Sequence, residues 1–194
     1  VDTDSHQIRQ IIISTLQVTL LAGSSQGGSV QGLANGIGTF AKFSYPVNVL
    51  LSLDNTFALV ADFANNQIRK LIMTTLQVTL FVGSTTGIGS YSDGIGTNAL
   101  LLGPSGLCLS SDGTFVLFTD YSNNRIRKLI LTTAEVSSIA GSITGVSNGV
   151  GTNAGFHFPN ALTISSDSTY TLIADTFNNQ IRKIIISTSE VSSI

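Results

Sequence analysis

The sequence predicts an all-β fold of the β-propeller class, and three observations carry that prediction. One motif recurs four times, as "VDTDSHQIRQ" from Val1, "ADFANNQIRK" from Ala61, "TDYSNNRIRK" from Thr119 and "ADTFNNQIRK" from Ala174. Around each copy, strand-sized runs rich in β-branched and aromatic residues alternate with short turn clusters. Several of those runs are apolar at consecutive positions, so both faces of each sheet must be covered. Four-stranded units of about 40 to 50 residues that bury one another around an axis satisfy all three observations.

The repeat is regular except in one place. Its Asp falls at Asp2, Asp62, Asp120 and Asp175, in steps of 60, 58 and 55 residues. Asp to Arg is always seven residues, and Arg to the Gly that closes the unit (Gly23, Gly83, Gly141) is always fourteen. From the Thr of each "GT" (Thr39, Thr97, Thr152) to Pro46, Pro104 and Pro159 is seven, and from each Pro to the next Asp sixteen. Only Gly to Thr varies, at 16, 14 and 11 residues, which confines all length change to one connection per unit.

In the second unit "PVNVLLSL", "FALVAD", "QIRKLIM" and "VTLFVG" read as an antiparallel meander joined by "DNT", "FANN" and "TTLQ". Applied to the whole chain, this places a partial blade at 1–23, blades at 46–83, 104–141 and 159–194, and variable connections at 24–45, 84–103 and 142–158. Three blades and a fragment do not close a ring. The expectation is a portion of a larger polypeptide.

Composition excludes several classes. Apolar residues make up 42% of the 194, enough for a sizeable core, while charged residues make up only 10%. With a net charge of −2, and with eight of nine basic residues inside the motif copies, the chain lacks the basic face that nucleic-acid binding uses. No apolar run approaches the ~20 residues of a membrane-spanning helix. A single cysteine excludes an intrachain disulfide, and no Asn begins an Asn-x-Ser/Thr glycosylation site.

The repeated charges read as a structural joint. If "FANN" joins two strands so that Asp62 faces Gln67, then Arg69 is the diagonal neighbour of Asp62 on the same face, at cross-strand ion-pair distance. The same holds for Asp2 with Arg9, Asp120 with Arg127 and Asp175 with Arg182. Arg69 and Arg127 are accordingly expected to matter for stability, and Lys70 to matter little. The other candidate chemistry is sparse. Cys108 falls in a strand, His6 in a turn and His157 just before a Pro, without a clustered ligand set, so neither a nucleophile nor a metal site is expected. "GIGTN" and "GVGTN" precede a strand rather than a helix, which makes them linker turns and not phosphate cradles. Asp93, Asp112 and Asp167 supply no converging set of oxygens for calcium.

"LVADFANNQIRKL" resembles the core of the NHL repeat, and "DGIGTNALLLGPSGLCLSSDGT" is similar to the linker and first strand that accompany it. The resemblance covers essentially the whole chain. Gln10 in place of Lys, and Ser5-His6 in place of Asn-Asn, depart from it in the first copy. It implies a ring of six blades and a binding scaffold without catalysis or cofactor, with a protein or glycan partner, or other copies of itself. An extracellular or cell-surface setting is expected from low charge and abundant Ser and Thr. An alternative implied by the same resemblance is a metal-dependent peptidylglycine amidating lyase, which needs several histidines; RNA binding is a further one, opposed by the acidic balance. In a meander the turn after the second strand and the connection to the next blade lie at one end of the sheet. The expected partner contacts there are Gln31, Tyr91, Asp93 and Ser147 in the connections, with Asn65, Asn123 and Asn178 in the turns.

Overall fold

The computed structural model describes residues 1–25 and 30–194. The stretch 26–29 of the first variable connection lies outside them.

Each repeat is an antiparallel meander, as the alternation of runs and turns requires. In the first full blade Pro46–Leu51, Phe57–Asp62, Gln67–Ile72 and Gln77–Gly83 pair in sequence order. The second is Pro104–Leu109, Phe115–Asp120, Arg125–Ile130 and Glu135–Ala140. The third is Pro159–Ile164, Tyr170–Asp175, Gln180–Ile185 and Glu190–Ser193. Ile8–Ile12 and Gln17–Ala22 make a two-stranded sheet at the start of the chain. Asp62 faces Gln67, Asp120 faces Arg125 and Asp175 faces Gln180, the register that the motif spacing requires.

Each blade carries a fifth strand where the sequence predicts a linker turn. Gly36–Ile37, Gly94–Ile95 and Gly149–Val150 pair antiparallel with the start of the outermost strand of the blade that follows them. Two residues are too short for a periodic signal. After each of these strands the backbone tightens into one 3-10 turn, and in the first and third its leading glycine bridges two sheets: Gly38 N–H donates to Leu76 O, while Gly38 O accepts from Gly23 N–H of the preceding sheet. A glycine serves there because its φ is +54°.

The core forms three layers between neighbouring sheets. One holds Ile8, Phe43, Ala58, Val60 and Leu71; the next Leu59, Ala61, Ile68, Leu101, Val116 and Phe118; the third Ile126, Ala140, Phe156, Ile173 and Ile184. Ala58 and Val60 face one layer while Leu59 and Ala61 face the next, which is why "FALVA" is apolar without alternation.

Candidate functional site

Asp62 is fully buried and accepts at Oδ1 from Ser44 N–H (2.7 Å) and at Oδ2 from Asn65 Nδ2 (2.8 Å) and Arg69 Nη1 (3.1 Å). The same set recurs at Asp120, with Leu102 N–H, Asn123 and Arg127, and at Asp175, with His157 N–H, Asn178 and Arg182. Arg69, Arg127 and Arg182 are fully buried too. In the leading copy Arg9 and Asp2 lie 3.4 Å apart at the surface. The chemistry is structural: a buried ion pair loses much of its hydration energy and is tolerated only where further hydrogen bonds satisfy the remaining polar atoms.

Each buried Arg supplies those bonds from its two Nη atoms by reaching back into the connection before its blade, while its Nε has no hydrogen-bond partner among the described residues. Arg69 donates from Nη1 to Lys42 O and from Nη2 to Ala34 O and Asn35 Oδ1. Arg127 reaches Leu100 O, Ser92 O and Asp93 Oδ1, and Arg182 reaches Gly155 O, Ser147 O and Asn148 Oδ1. An aromatic ring covers each guanidinium: Phe43 at 5.5 Å, Tyr91 at 5.0 Å and Phe156 at 5.2 Å. The last turn residue forms a second tie. Asn66 and Asn124 stand in the left-handed conformation, and their Oδ1 atoms accept from Gly103 N–H and Phe158 N–H of the following blade at 2.8 Å. His6, at the same place in the leading copy, accepts at Nδ1 from Tyr45 N–H at 3.0 Å.

These ties change the reading of the expected partner contacts. Asn65, Asn123 and Asn178 each spend their amide N–H groups on the joint Asp and on a connection carbonyl: Gly32 O, Ser90 O and Gly145 O. Asn65 is buried, so it presents no contact surface. Gln31, Tyr91, Asp93 and Ser147 are exposed but strapped inward. Gln31 accepts from Ser44 Oγ, Tyr91 covers the Arg125 guanidinium at 3.8 Å, Asp93 pairs with Arg127, and the Ser147 carbonyl accepts from Arg182. Nor are the connections confined to one end of the sheets. Gly94–Ile95 pairs with Glu135 and Val136 beside the turn at the opposite end, and Gly96 N–H donates to Ala134 O there.

What the turn-bearing end does present is aromatic. Phe63 and Tyr121 meet edge to face at 5.7 Å, Tyr121 stacks on Phe158 at 4.8 Å, and Phe158 meets Phe177 at 4.9 Å and His157 at 5.0 Å. His6 and Tyr45 form a separate pair at 4.8 Å. Tyr45 and Phe158 hold φ near +50°, where Gly103 stands in the intervening repeat. Backbone strain at a bulky residue is expensive and is kept where its surroundings fix it, as the Asn124 and His6 ties do. Beside this arc lies a pocket of about 420 Å3, lined by Phe63, Tyr121, Val47, Asn48, Ser105, Gly106, Asn160 and Ala161.

The pocket coincides with the place where the middle repeat departs from its neighbours. Thr119 replaces the Ala found at positions 61 and 174, accepting from Gly106 N–H (2.8 Å) and donating to Asn160 O (2.7 Å). A Cβ at Gly106 would lie 2.6 Å from Asn160 O, so only glycine lets the two inner strands approach this closely. Ser105 donates to Asn160 Oδ1 at 2.5 Å. The signal available in the sequence was the aromatic beside each turn, in "DF", "DY" and "TF", and before two prolines, in "YP" and "FP".

The remaining candidates are occupied otherwise. Cys108 is buried, which pushes its thiol up to about 12 and away from nucleophilic use. Among the described residues there is no group of three His, Cys, Asp or Glu side chains that could hold a metal ion. No helix among them is long and apolar enough to cross a membrane.

No family model matches the chain. It is 31% identical over 159 residues to Protein SUPPRESSOR OF QUENCHING 1, chloroplastic, of Arabidopsis thaliana, covering 78% of this chain and 15% of that protein. It is 26% identical over 141 residues to human NHL repeat-containing protein 2, covering 70% of this chain and 19% of that protein. The chain thus spans less than a fifth of the curated relatives it matches. Among solved structures it superposes on an auxiliary nutrient binding protein from Bacteroides thetaiotaomicron with a TM-score of 0.72 at 18% identity, over 98% of this chain and 44% of that one. A virginiamycin B lyase from Staphylococcus aureus matches with a TM-score of 0.57 at 14% identity, over 100% of this chain and 64% of that one. Sheets in radial layers, joints repeated blade by blade and these likenesses together identify the chain as β-propeller, with sequence similarity to an NHL repeat-containing protein.

Proposed function

We propose that this chain is a non-catalytic interaction module of a larger extracellular or cell-surface protein, which holds a protein or glycan partner at the aromatic, turn-bearing end of its inner strands. The observation that carries this reading is the arc from Phe63 through Tyr121 and Phe158 to Phe177, set beside a pocket. Aromatic groups with a few polar neighbours in a concave, pre-formed place are the usual makings of a binding site. The non-catalytic reading is supported by how the reactive groups are spent: His6 Nδ1 on a backbone N–H, the joint carboxylates on arginine, and the Cys108 thiol in the core. A chain poor in charge and rich in Ser and Thr supports the cell-surface setting.

The test compares faces. Tyr121→Ala with Phe63→Ala is expected to abolish partner capture, and changes at Thr74 and Thr75 in the turn at the other end to leave it intact. Loss with the second pair only, in folded protein, overturns the reading.

A further inference from the structure

We propose that the pocket beside Phe63 and Tyr121 binds a neutral saccharide; this rests on the aromatic end being the binding end. Three features select that ligand. Phe63 and Tyr121 supply an aromatic wall, and the electron-rich face of such a ring attracts the weakly positive C–H groups on one face of a pyranose. The polar groups around the pocket are uncharged: Asn48, Asn160 and Ser105. An anionic sugar or phosphate finds no cation among the lining residues, and a cationic ligand finds no carboxylate.

The amides are also available. Among the described residues Asn48 makes no side-chain hydrogen bond, and Asn160 uses only Oδ1, which accepts from Ser105 and leaves its NH2 unspent. An amide that donates and accepts from adjacent atoms matches a pair of neighbouring hydroxyls, each of which also donates and accepts. The local departures from the repeat serve the same place. Gly106 and Thr119 draw together the two inner strands that help line it, through the bonds Thr119 makes with Gly106 N–H and Asn160 O. Departures from an otherwise consistent pattern concentrate at functional sites.

The experiment is calorimetric titration of the protein with maltotriose, cellotriose, mannotriose and lactose as neutral probes, sialyllactose as an anionic control, and a proline-rich decapeptide as the competing aromatic-groove ligand. At least one neutral probe is expected to bind, to weaken about tenfold or more in Tyr121→Ala and in Asn160→Ala, and to outbind sialyllactose. Asn48→Ala and Asn160→Ala change surface amides, so they report on the site even if Tyr121→Ala fails to fold. If no neutral probe binds at millimolar concentration, or if binding survives all three changes, the saccharide assignment falls. If the peptide binds instead and Tyr121→Ala abolishes it, the saccharide assignment falls while the aromatic end stands as the binding face.

Discussion

Arg69 pairs with the buried Asp62, and Arg127 with the buried Asp120 and the exposed Asp93; both arginines make further hydrogen bonds and have no exposed surface, so removing either leaves a buried carboxylate without its counter-ion. Arg69→Ala or Arg127→Ala is expected to cost roughly 3 to 5 kcal/mol of stability, whereas Arg9→Ala, at a solvated pair, should cost less than about 1 kcal/mol. Urea unfolding midpoints measure both, and equal small shifts would remove the joint from the account. Lys70, expected from sequence to matter little, lies with its Nζ 4.2 Å from the centre of the Phe57 ring, as Lys128 does over Phe115 at 4.3 Å and Lys183 over Tyr170 at 4.4 Å. Lys70→Ala is therefore expected to lose about 0.5 to 1 kcal/mol, and Lys70→Arg to lose less. Burial pushes the Asp62 carboxyl from its ordinary 3.8 up to about 6, against the pull of Ser44 N–H, Asn65 and Arg69. Between those values the folded chain holds a proton that the unfolded chain has released. The contribution is complete below about pH 3.8 and is lost as the pH rises through about 6. Relative to Asp62→Asn, the unfolding free energy of the native sequence should fall from about pH 4 to 6.5 and level off above. A difference that rises over that interval would contradict the assignment.

At the scale of the element, spacing made the four main strands of each blade and the Asp-to-Arg pairing legible, because both depend on residues no more than a turn apart. The second reach of each Arg was hidden, since its partners lie 34 and 35 residues upstream in segments of changing length. Yet Asn35, Asp93 and Asn148 stand at one constant distance before Arg69, Arg127 and Arg182, a regularity visible only when counting backwards from the Arg. The fifth strand was illegible because two residues show no period, and the left-handed Tyr45 and Phe158 because nothing in a bulky aromatic announces positive φ. Ser5-His6 departs from the Asn-Asn of the other copies, yet the imidazole nitrogen of His6 accepts the same backbone N–H as the amide oxygens of Asn66 and Asn124 do. His6→Asn should preserve stability, and His6→Ala should lose about 1 kcal/mol or more by leaving Tyr45 N–H without its acceptor. Thermal unfolding of the two variants decides this, and equal losses would mean that ring packing against Tyr45 matters instead.

Across the whole molecule, the three core layers lie between sheets, so each layer belongs to two neighbours and to no blade alone. The inner strand Pro104–Leu109 of the middle blade is almost wholly buried, while Pro46–Leu51 and Pro159–Ile164 on either side of it expose several residues. Stability in such an array is set by each unit together with its nearest interfaces. A defect should then spread one interface in each direction and fade. Arg127→Ala, in the middle blade, disturbs a joint whose neighbours Leu101, Phe118 and Leu129 pack against Leu59 and Ile68 of the blade before, while Ile126 and Ala140 pack against Phe156 and Ile173 of the blade after. Amide hydrogen exchange should therefore accelerate in all three full blades. Arg182→Ala sits in the last blade, whose core layer stops at Ile126 and Ala140, so exchange should accelerate across 104–141 and 159–194 and stay slow across Phe57–Asp62 and Gln67–Ile72. Uniform acceleration in both variants would show that the blades unfold as one unit, and the nearest-neighbour account would have to be abandoned.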